Sequence, residues 1–240
     1  MSDLQVVWPK SWIAEEFEAV GLEVTRHPGM DPVEQVGPIW WATENAAKSY
    51  YHGYDLHLTA PDGREVTEMP RWATRREMGV LPLKDVCRLT GPIFLKSANS
   101  KIVFGTDVGR AMVVGDPAKW ASECMNYGVP RDLPVMWSRP VVFTEEWRCW
   151  FDGEYILEMS QYQRYGSTWN EWPPVYPTQE LLAFAVNVAK YLVKEPCVLD
   201  VGYVDGRPAV VETNPVWSSG PYTSRSEERR VGKECLRLCR

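Results

Sequence analysis

Short apolar runs broken by turn residues outnumber amphipathic helices along this chain, which predicts a mixed fold whose strands carry most of the core. A strand over residues 4–8 and a helical period over 12–20 predict a small α/β start. Past Pro82 and Leu83 the pattern changes, and residues 92–96 read as a buried strand ending in Lys96. The small polar run Ser97-Ala98-Asn99-Ser100 and a second strand over 101–105, opening on Lys101, complete a hairpin with a lysine on each side of its loop. Further strands are predicted over 135–143, 146–151 and 155–160, the last two joined by an Asp152-Gly153 turn. Thr178 is placed to cap a helix over 179–193, in which Leu181, Leu182, Ala185, Val188, Ala189 and Leu192 form an apolar stripe. No internal repeat interrupts the pattern, and Pro173, Pro174 and Pro177 mark a loop.

The last hairpin departs from the apolar rule. Residues 197–215 read as two apolar strands around a turn, yet they carry Asp200, Glu212 and Asn214. Buried acids need partners, and two carboxylates beside an amide oxygen offer hard donors for Mg²⁺. Residues two apart on a strand share a face, so Glu212 and Asn214 point the same way. Asp200 joins them if the connection has an odd number of residues. The loop Asp205-Gly206-Arg207, with Gly206 left-handed, sets Asp200 opposite Glu212, whereas a two-residue turn sets it opposite Val211. The odd loop is the expectation, with Leu199, Val201, Tyr203, Ala209 and Val211 on the core face beneath the 179–193 helix. Spacing alone equally allows a solvated hairpin carrying a few acids.

With 240 residues, 45% of them hydrophobic, the chain can bury a substantial core in one large domain or two small ones. Its longest apolar candidate, 181–193, is interrupted by Asn187 and Lys190, and the polar opening lacks a signal-peptide layout. A soluble cytoplasmic protein with no membrane partner is therefore expected. Cysteines at 87, 124, 149, 197, 235 and 239 form no CxxC pair and no zinc spacing, so reduced thiols are expected. Residues 225–235, RSEERRVGKEC, look like the translation of a common sequencing-adapter oligonucleotide, so the natural C-terminus is expected to be missing beyond Ser224. Residues 225–240 hold six Arg or Lys and three Glu, a net of +3, so without them the chain's −6 becomes −9. That acidic balance gives no general electrostatic footprint for nucleic acid.

Taken in order, Phe94-Leu95-Lys96, Lys101, Glu146-Trp147-Arg148, Leu199-Asp200-Val201-Gly202 and Val211-Glu212-Thr213-Asn214-Pro215 resemble the ATP-grasp superfamily over about residues 91–222. The stretch Asn214-Pro215-Val216-Trp217-Ser218-Ser219-Gly220 looks most like a small bacterial and phage clade whose signature is two arginines and a lysine. The resemblance implies an α+β, ATP-grasp-like fold. Two α+β subdomains would clamp nucleotide over residues 91–224, after a small α/β region over 1–90 and before the tail at 225–240. It also implies ATP and Mg²⁺ as cofactors. The activity would be a ligase that phosphorylates a carboxylate substrate and couples the acylphosphate to an amine or similar nucleophile.

In that resemblance each residue has a role. Lys96 and Lys101 would neutralise phosphates, while Asp200, Glu212 and Asn214 would hold Mg²⁺. Arg148 would stabilise the transferring phosphoryl group. Ser138, Arg139 and Val141 would line the adenine hinge, and Ser218, Ser219 and Gly220 would face the acceptor. There are departures as well: residues 97–100 lack the usual loop glycine, and Arg139 stands where an acid is more usual. Arg139 and Arg164 are both candidates for the second arginine, and a terminal helix over the last hairpin is expected to be missing. Two other readings compete. A non-enzymatic binding protein would use an aromatic segment, Trp40, Trp41, Tyr50, Tyr51 and Tyr54, as a ligand platform. A lysine-adenylating nucleotidyltransferase would want Lys-x-Asp-Gly, whereas Lys96 is followed by Ser97, Ala98 and Asn99.

Overall fold

The computed structural model describes residues 4–7, 12–27, 31–41, 46, 49, 52–56, 64–98, 112–168, 175–192 and 194–219. At the start of the chain, β1 (Leu4–Val7) runs parallel to β2 (Val24–His27) on one side and β3 (Ile39–Trp41) on the other. The parallel β1–β2 pair needs a crossover, and α1 (Trp12–Ala19) supplies it. Its Phe17 packs on Trp40, which in turn packs on Trp150 of a larger sheet. Trp40 of the aromatic segment is thus core rather than platform, while Tyr50 and Tyr51 lie outside the described residues.

A second sheet is four-stranded and antiparallel. It comprises β4 (Met78–Pro82), β5 (Ile93–Ser97), β6 (Met112–Val114) and β7 (Pro134–Ser138) in the order β4-β7-β5-β6, so it draws one strand from before residue 90. In β5, Ile93 and Leu95 are fully buried against α4 (Pro117–Asn126), while Phe94 and Lys96 point to the other side. Asp116 caps α4 by accepting from Lys119 N at 3.0 Å, with Pro117 in the first turn. The strand expected over 135–143 stops at Ser138. Pro140 has no N–H to extend the ladder, and the Arg139 amide turns to Glu77 O at 2.8 Å. From there the chain crosses to the third sheet, where Thr144 N reaches Tyr203 O at 3.0 Å. The strand expected over 101–105 lies outside the described residues.

The third sheet, antiparallel throughout, comprises β8 (Glu145–Phe151), β9 (Ile156–Arg164), β10 (Ser167–Thr168), β11 (Cys197–Val204) and β12 (Arg207–Asn214), in the order β10-β9-β8-β11-β12. One face is covered by α5 (Gln179–Ala189), capped by Thr178 accepting from Leu181 N at 3.1 Å. The stripe holds for Leu181, Ala185, Val188 and Leu192, which pack on Cys149, Leu199 and Val201. Leu182 does not belong to it: one residue off the buried line, it is 42% exposed. Two short helices, α2 (Arg64–Glu68) and α3 (Arg71–Thr74), pack Val66 and Ala73 into the same core. The four described cysteines are free thiols. Among the described residues no helix is long and apolar enough to cross a membrane.

The hairpin reaches its expected alignment by a different route. Val204 pairs with Arg207, so the turn has two residues, Asp205 and Gly206, both with positive φ (50° and 71°). A β-bulge then corrects the register: Val201 pairs with Val210, Asp200 pairs with Glu212, and Val211 is the extra residue. The expected three-residue loop is therefore wrong, although Asp200 does oppose Glu212. The bulge also re-sorts the strand, because Val210 joins the core with Val201 while Ala209 opposes Gly202 and Val211 turns to a cleft.

Gly202 permits the close approach that joins β11 to the sheet-crossing segment. A Cβ there would lie 2.3 Å from Glu145 O and 2.9 Å from the Phe143 ring. Gly202→Ala is expected to lower unfolding free energy by about 3 kcal/mol, the upper part of the overpacking range. A urea midpoint unchanged from the parent would contradict this.

Candidate active site

One face of the five-stranded sheet changes from apolar to charged along its strands. At one end Trp150 and Val198 oppose each other and pack on the N-terminal sheet. Two residues along, on the same face, Arg148 opposes Asp200, and Asp200 opposes Glu212 across the next ladder. Asp200 has no exposed surface and Arg148 is 4% exposed. Arg148 Nε donates to Asp200 Oδ1 at 2.9 Å and Nη2 to Oδ2 at 2.8 Å, the bidentate fork that compensates a buried carboxylate best. Asn214 Nδ2 bridges the acids, donating to Asp200 Oδ2 at 2.8 Å and Glu212 Oε1 at 2.9 Å. The other Glu212 oxygen forms an ion pair with Lys96, which comes from the facing four-stranded sheet.

A second bulge brings in a tyrosine. Glu146 pairs with Gln163 and Trp147 with Gln161, leaving Tyr162 as the extra residue of β9. Its phenol donates to Glu146, and its ring lies 5.2 Å from the Arg148 guanidinium carbon. Burial raises the tyrosine's pKa, and Asp200 and Glu146 raise it further, so the phenol keeps its proton and remains a donor. Burial likewise lifts the Glu146 carboxyl above its usual range.

Arg76, two residues beyond α3, closes the group. It is 8% exposed and donates Nη1 to Val210 O at 2.6 Å and Nη2 to Val211 O at 2.7 Å, so it satisfies carbonyls at the bulge of an edge strand. Burial depresses its pKa to about 10, with Glu212 and Glu146 opposing the shift, so it is cationic at neutral pH. Three cations, Arg76, Lys96 and Arg148, thus stand among three acids, Glu146, Asp200 and Glu212.

Between the two antiparallel sheets lies a cleft of about 690 Å³, a size that suits a small-molecule ligand. Phe94, Met136, Val141 and Phe143 give it apolar walls, and Arg76, Lys96, Glu146, Tyr162 and Glu212 give it polar ones. Of the residues singled out in the sequence, Lys96, Ser138, Val141 and Glu212 line it. Asp200 and Asn214 stand behind Glu212, hydrogen-bonded to one another, and Arg148 stands behind Asp200. Arg139 turns away, its Nη1 donating to Thr90 O at 3.0 Å and its Nε lying 3.4 Å from Glu77. Arg164 likewise points elsewhere, to Glu145 at 3.4 Å. Ser219 is buried, its hydroxyl donating to Pro215 O at 2.7 Å, and Ser218 ends a 3-10 turn (Val216–Ser218). Lys101 and Gly220 lie outside the described residues. Sequence reasoning missed Arg76 and Tyr162 and gave Glu146 no role; the one available signal was the Arg75-Arg76 pair, which sits before the expected domain boundary.

Residues 74–229 match a family model described as an ATP-grasp domain, family 2 of the clade named for two arginines and a lysine. No curated protein matches the chain in sequence. Among solved structures, a RimK-domain ATP-grasp protein from Sphaerobacter thermophilus is 15% identical with a TM-score of 0.53, the match covering 98% of this chain and 100% of that one. D-alanine–D-alanine ligase from Bacillus anthracis, complexed with ATP, is 12% identical with a TM-score of 0.55, covering 100% of this chain and 97% of that one. The macrocyclase MdnC from Microcystis aeruginosa, bound with the precursor peptide MdnA, is 12% identical with a TM-score of 0.51, covering 99% and 100%. At these identities the likeness is one of fold, and it is the ATP-grasp fold that the sequence resemblance implied.

The raised Glu146 carboxyl gives a pH test. The folded chain holds this proton more tightly than the unfolded one, so its contribution to stability is full below the ordinary carboxylate pKa and is lost as pH rises through the raised value. Glu146→Gln keeps an acceptor for Tyr162 and removes that loss. The urea midpoint of the variant, relative to the parent, is expected to rise between about pH 4 and about pH 7. A difference that stays constant with pH would contradict the assignment.

Proposed function

Because the chain belongs to family 2 of this two-arginine-and-lysine clade of ATP-grasp domains, we propose that it is an ATP- and Mg²⁺-dependent ligase that phosphorylates a carboxylate and couples the acylphosphate to an amine or similar nucleophile. The observation that carries this reading is the Lys96–Glu212 ion pair, which spans the cleft from one sheet to the other, with Asp200 and Asn214 joined to its acidic end.

The donor set fits Mg²⁺, since Asp200, Glu212 and the Asn214 amide are hard oxygen donors already gathered by shared hydrogen bonds. Asn214 directs its NH₂ at both acids here, and rotation of the amide presents its oxygen instead. These three residues would hold the ion, which when bound neutralises and polarises phosphate oxygens. Lys96, freed from Glu212, would pair with phosphate as a point charge. Arg148 would fix Asp200 and place positive charge behind the transferring group, and Arg76 is the second cleft arginine, in the place for which Arg139 and Arg164 were the candidates. Phe94, Met136, Val141 and Phe143 would enclose the adenine beside Ser138. The ligase and the peptide-bound macrocyclase among the structural neighbours support an amino-acid or peptide carboxylate as substrate. The aromatic binding-protein alternative would scatter these charges, whereas the described ones converge.

Asp200→Asn combined with Glu212→Gln is expected to weaken Mg·ATP binding, measured by calorimetry, by at least about tenfold. Glu212→Gln alone, which leaves the Arg148–Asp200 pair intact, separates metal loss from misfolding and is expected to act in the same direction. Unchanged affinity in a folded Glu212→Gln variant would overturn the reading.

A further inference from the structure

Arg75 and Arg76 are neighbours in the chain, yet only Arg76 enters the cleft. Arg75 faces a separate cavity of about 400 Å³, which it lines with Arg71, Val204, Asp205 and Arg207. The short α3 turn sets Arg71 four residues before Arg75 and so on the same side. Arg75 ends that turn in a left-handed conformation (φ 51°), and its Nε donates to Pro208 O at 2.7 Å, pinning the guanidinium to the edge of β12. The two-residue Asp205-Gly206 turn brings Arg207, the first residue of β12, to the same place.

Three guanidiniums thus meet one carboxylate, a formal excess of two positive charges in one concavity. Among the described residues, the side chains of Arg71 and Arg207 make no hydrogen bond or ion pair. Like charges gathered without partners repel one another, and an anion of matching charge removes that repulsion. Guanidinium forks suit oxyanions, and three of them, carried on the start of a helical turn, its left-handed end and a strand, approach from more directions than a planar carboxylate has oxygens.

We propose that Arg71, Arg75 and Arg207 form a second anion site, separate from the nucleotide cleft, that takes a phosphate group. Its position is independent of the ligase reading: Pro208 lies three residues, about 10 Å along the strand, from the Val211 bulge. An occupant ties α3 to the β11–β12 turn and braces the residue that follows Arg75, which is Arg76.

The test is calorimetric titration of inorganic phosphate into the whole chain at fixed ionic strength, with parent and Arg71→Gln/Arg207→Gln proteins compared. Binding is expected to be at least about tenfold weaker in the double variant, while its affinity for Mg·ATP stays at the parent value. Arg71→Gln alone, a change at an exposed position, serves if the double variant does not fold. A phosphate monoester that binds more tightly than inorganic phosphate places the group on a small molecule, and the reverse order identifies the free ion. Phosphate affinity unchanged in the variants, or equal binding of succinate at the same charge, would overturn the proposal.

Discussion

A carboxylate with no exposed surface in the middle of a β-sheet stays ionised only if its surroundings replace the water it has lost, and Asp200 is in that position. Arg148 occupies both of its oxygens and Asn214 donates a further hydrogen bond. Removing one partner of such a pair costs about 3–5 kcal/mol, because the other charge is left uncompensated. The identities of three facing positions on β8, β11 and β12 are thereby linked, and the register of both ladders is constrained by a polar requirement as well as by the apolar one beneath α5.

The two bulges are where that requirement meets the regular pleat. An unbroken hairpin from the Asp205-Gly206 turn would set Asp200 against Val211 and send Glu212 to the α5 face. The extra residue at Val211 restores the acidic pair and leaves backbone carbonyls at the edge, which Arg76 satisfies. The extra residue at Tyr162 likewise turns a phenol towards Glu146 and Arg148. Both bulged residues line the cleft, consistent with bulges re-aiming side chains beside functional sites.

Much of this was legible in the chain because it violated local expectation. Acids at 200 and 212 and an amide at 214 stand out in apolar strands, and Lys96 stands out at the end of one; the alternation of β5 and the capped stripe of α5 likewise follow from period alone. Other features are set by contacts that no local window contains. A two-residue turn followed by a bulge and a three-residue loop give the same Asp200–Glu212 alignment, so the pattern could not separate them, and the difference appears only in Val210 and Val211 exchanging faces. Leu182 matched the stripe by composition but sits one residue off its buried line. Arg76 was invisible for a different reason: its partners, Val210 and Val211, lie more than a hundred residues away, on an edge whose existence depends on the whole sheet.

The cleft is therefore bounded by charges that satisfy one another, with Lys96 holding Glu212 across it and Arg148 holding Asp200 behind it. The central claim is that the first of these pairs is exchanged for nucleotide and metal while the second persists. The most direct measurement is a crystal structure with Mg²⁺ and a non-hydrolysable ATP analogue. The account predicts the analogue between the two sheets, Mg²⁺ on Glu212 and its neighbours, Lys96 moved from Glu212 to a phosphate, and the Arg148–Asp200 fork unchanged. An analogue bound elsewhere, or bound in the cleft with Lys96 still on Glu212 and no metal at the three residues, would contradict it.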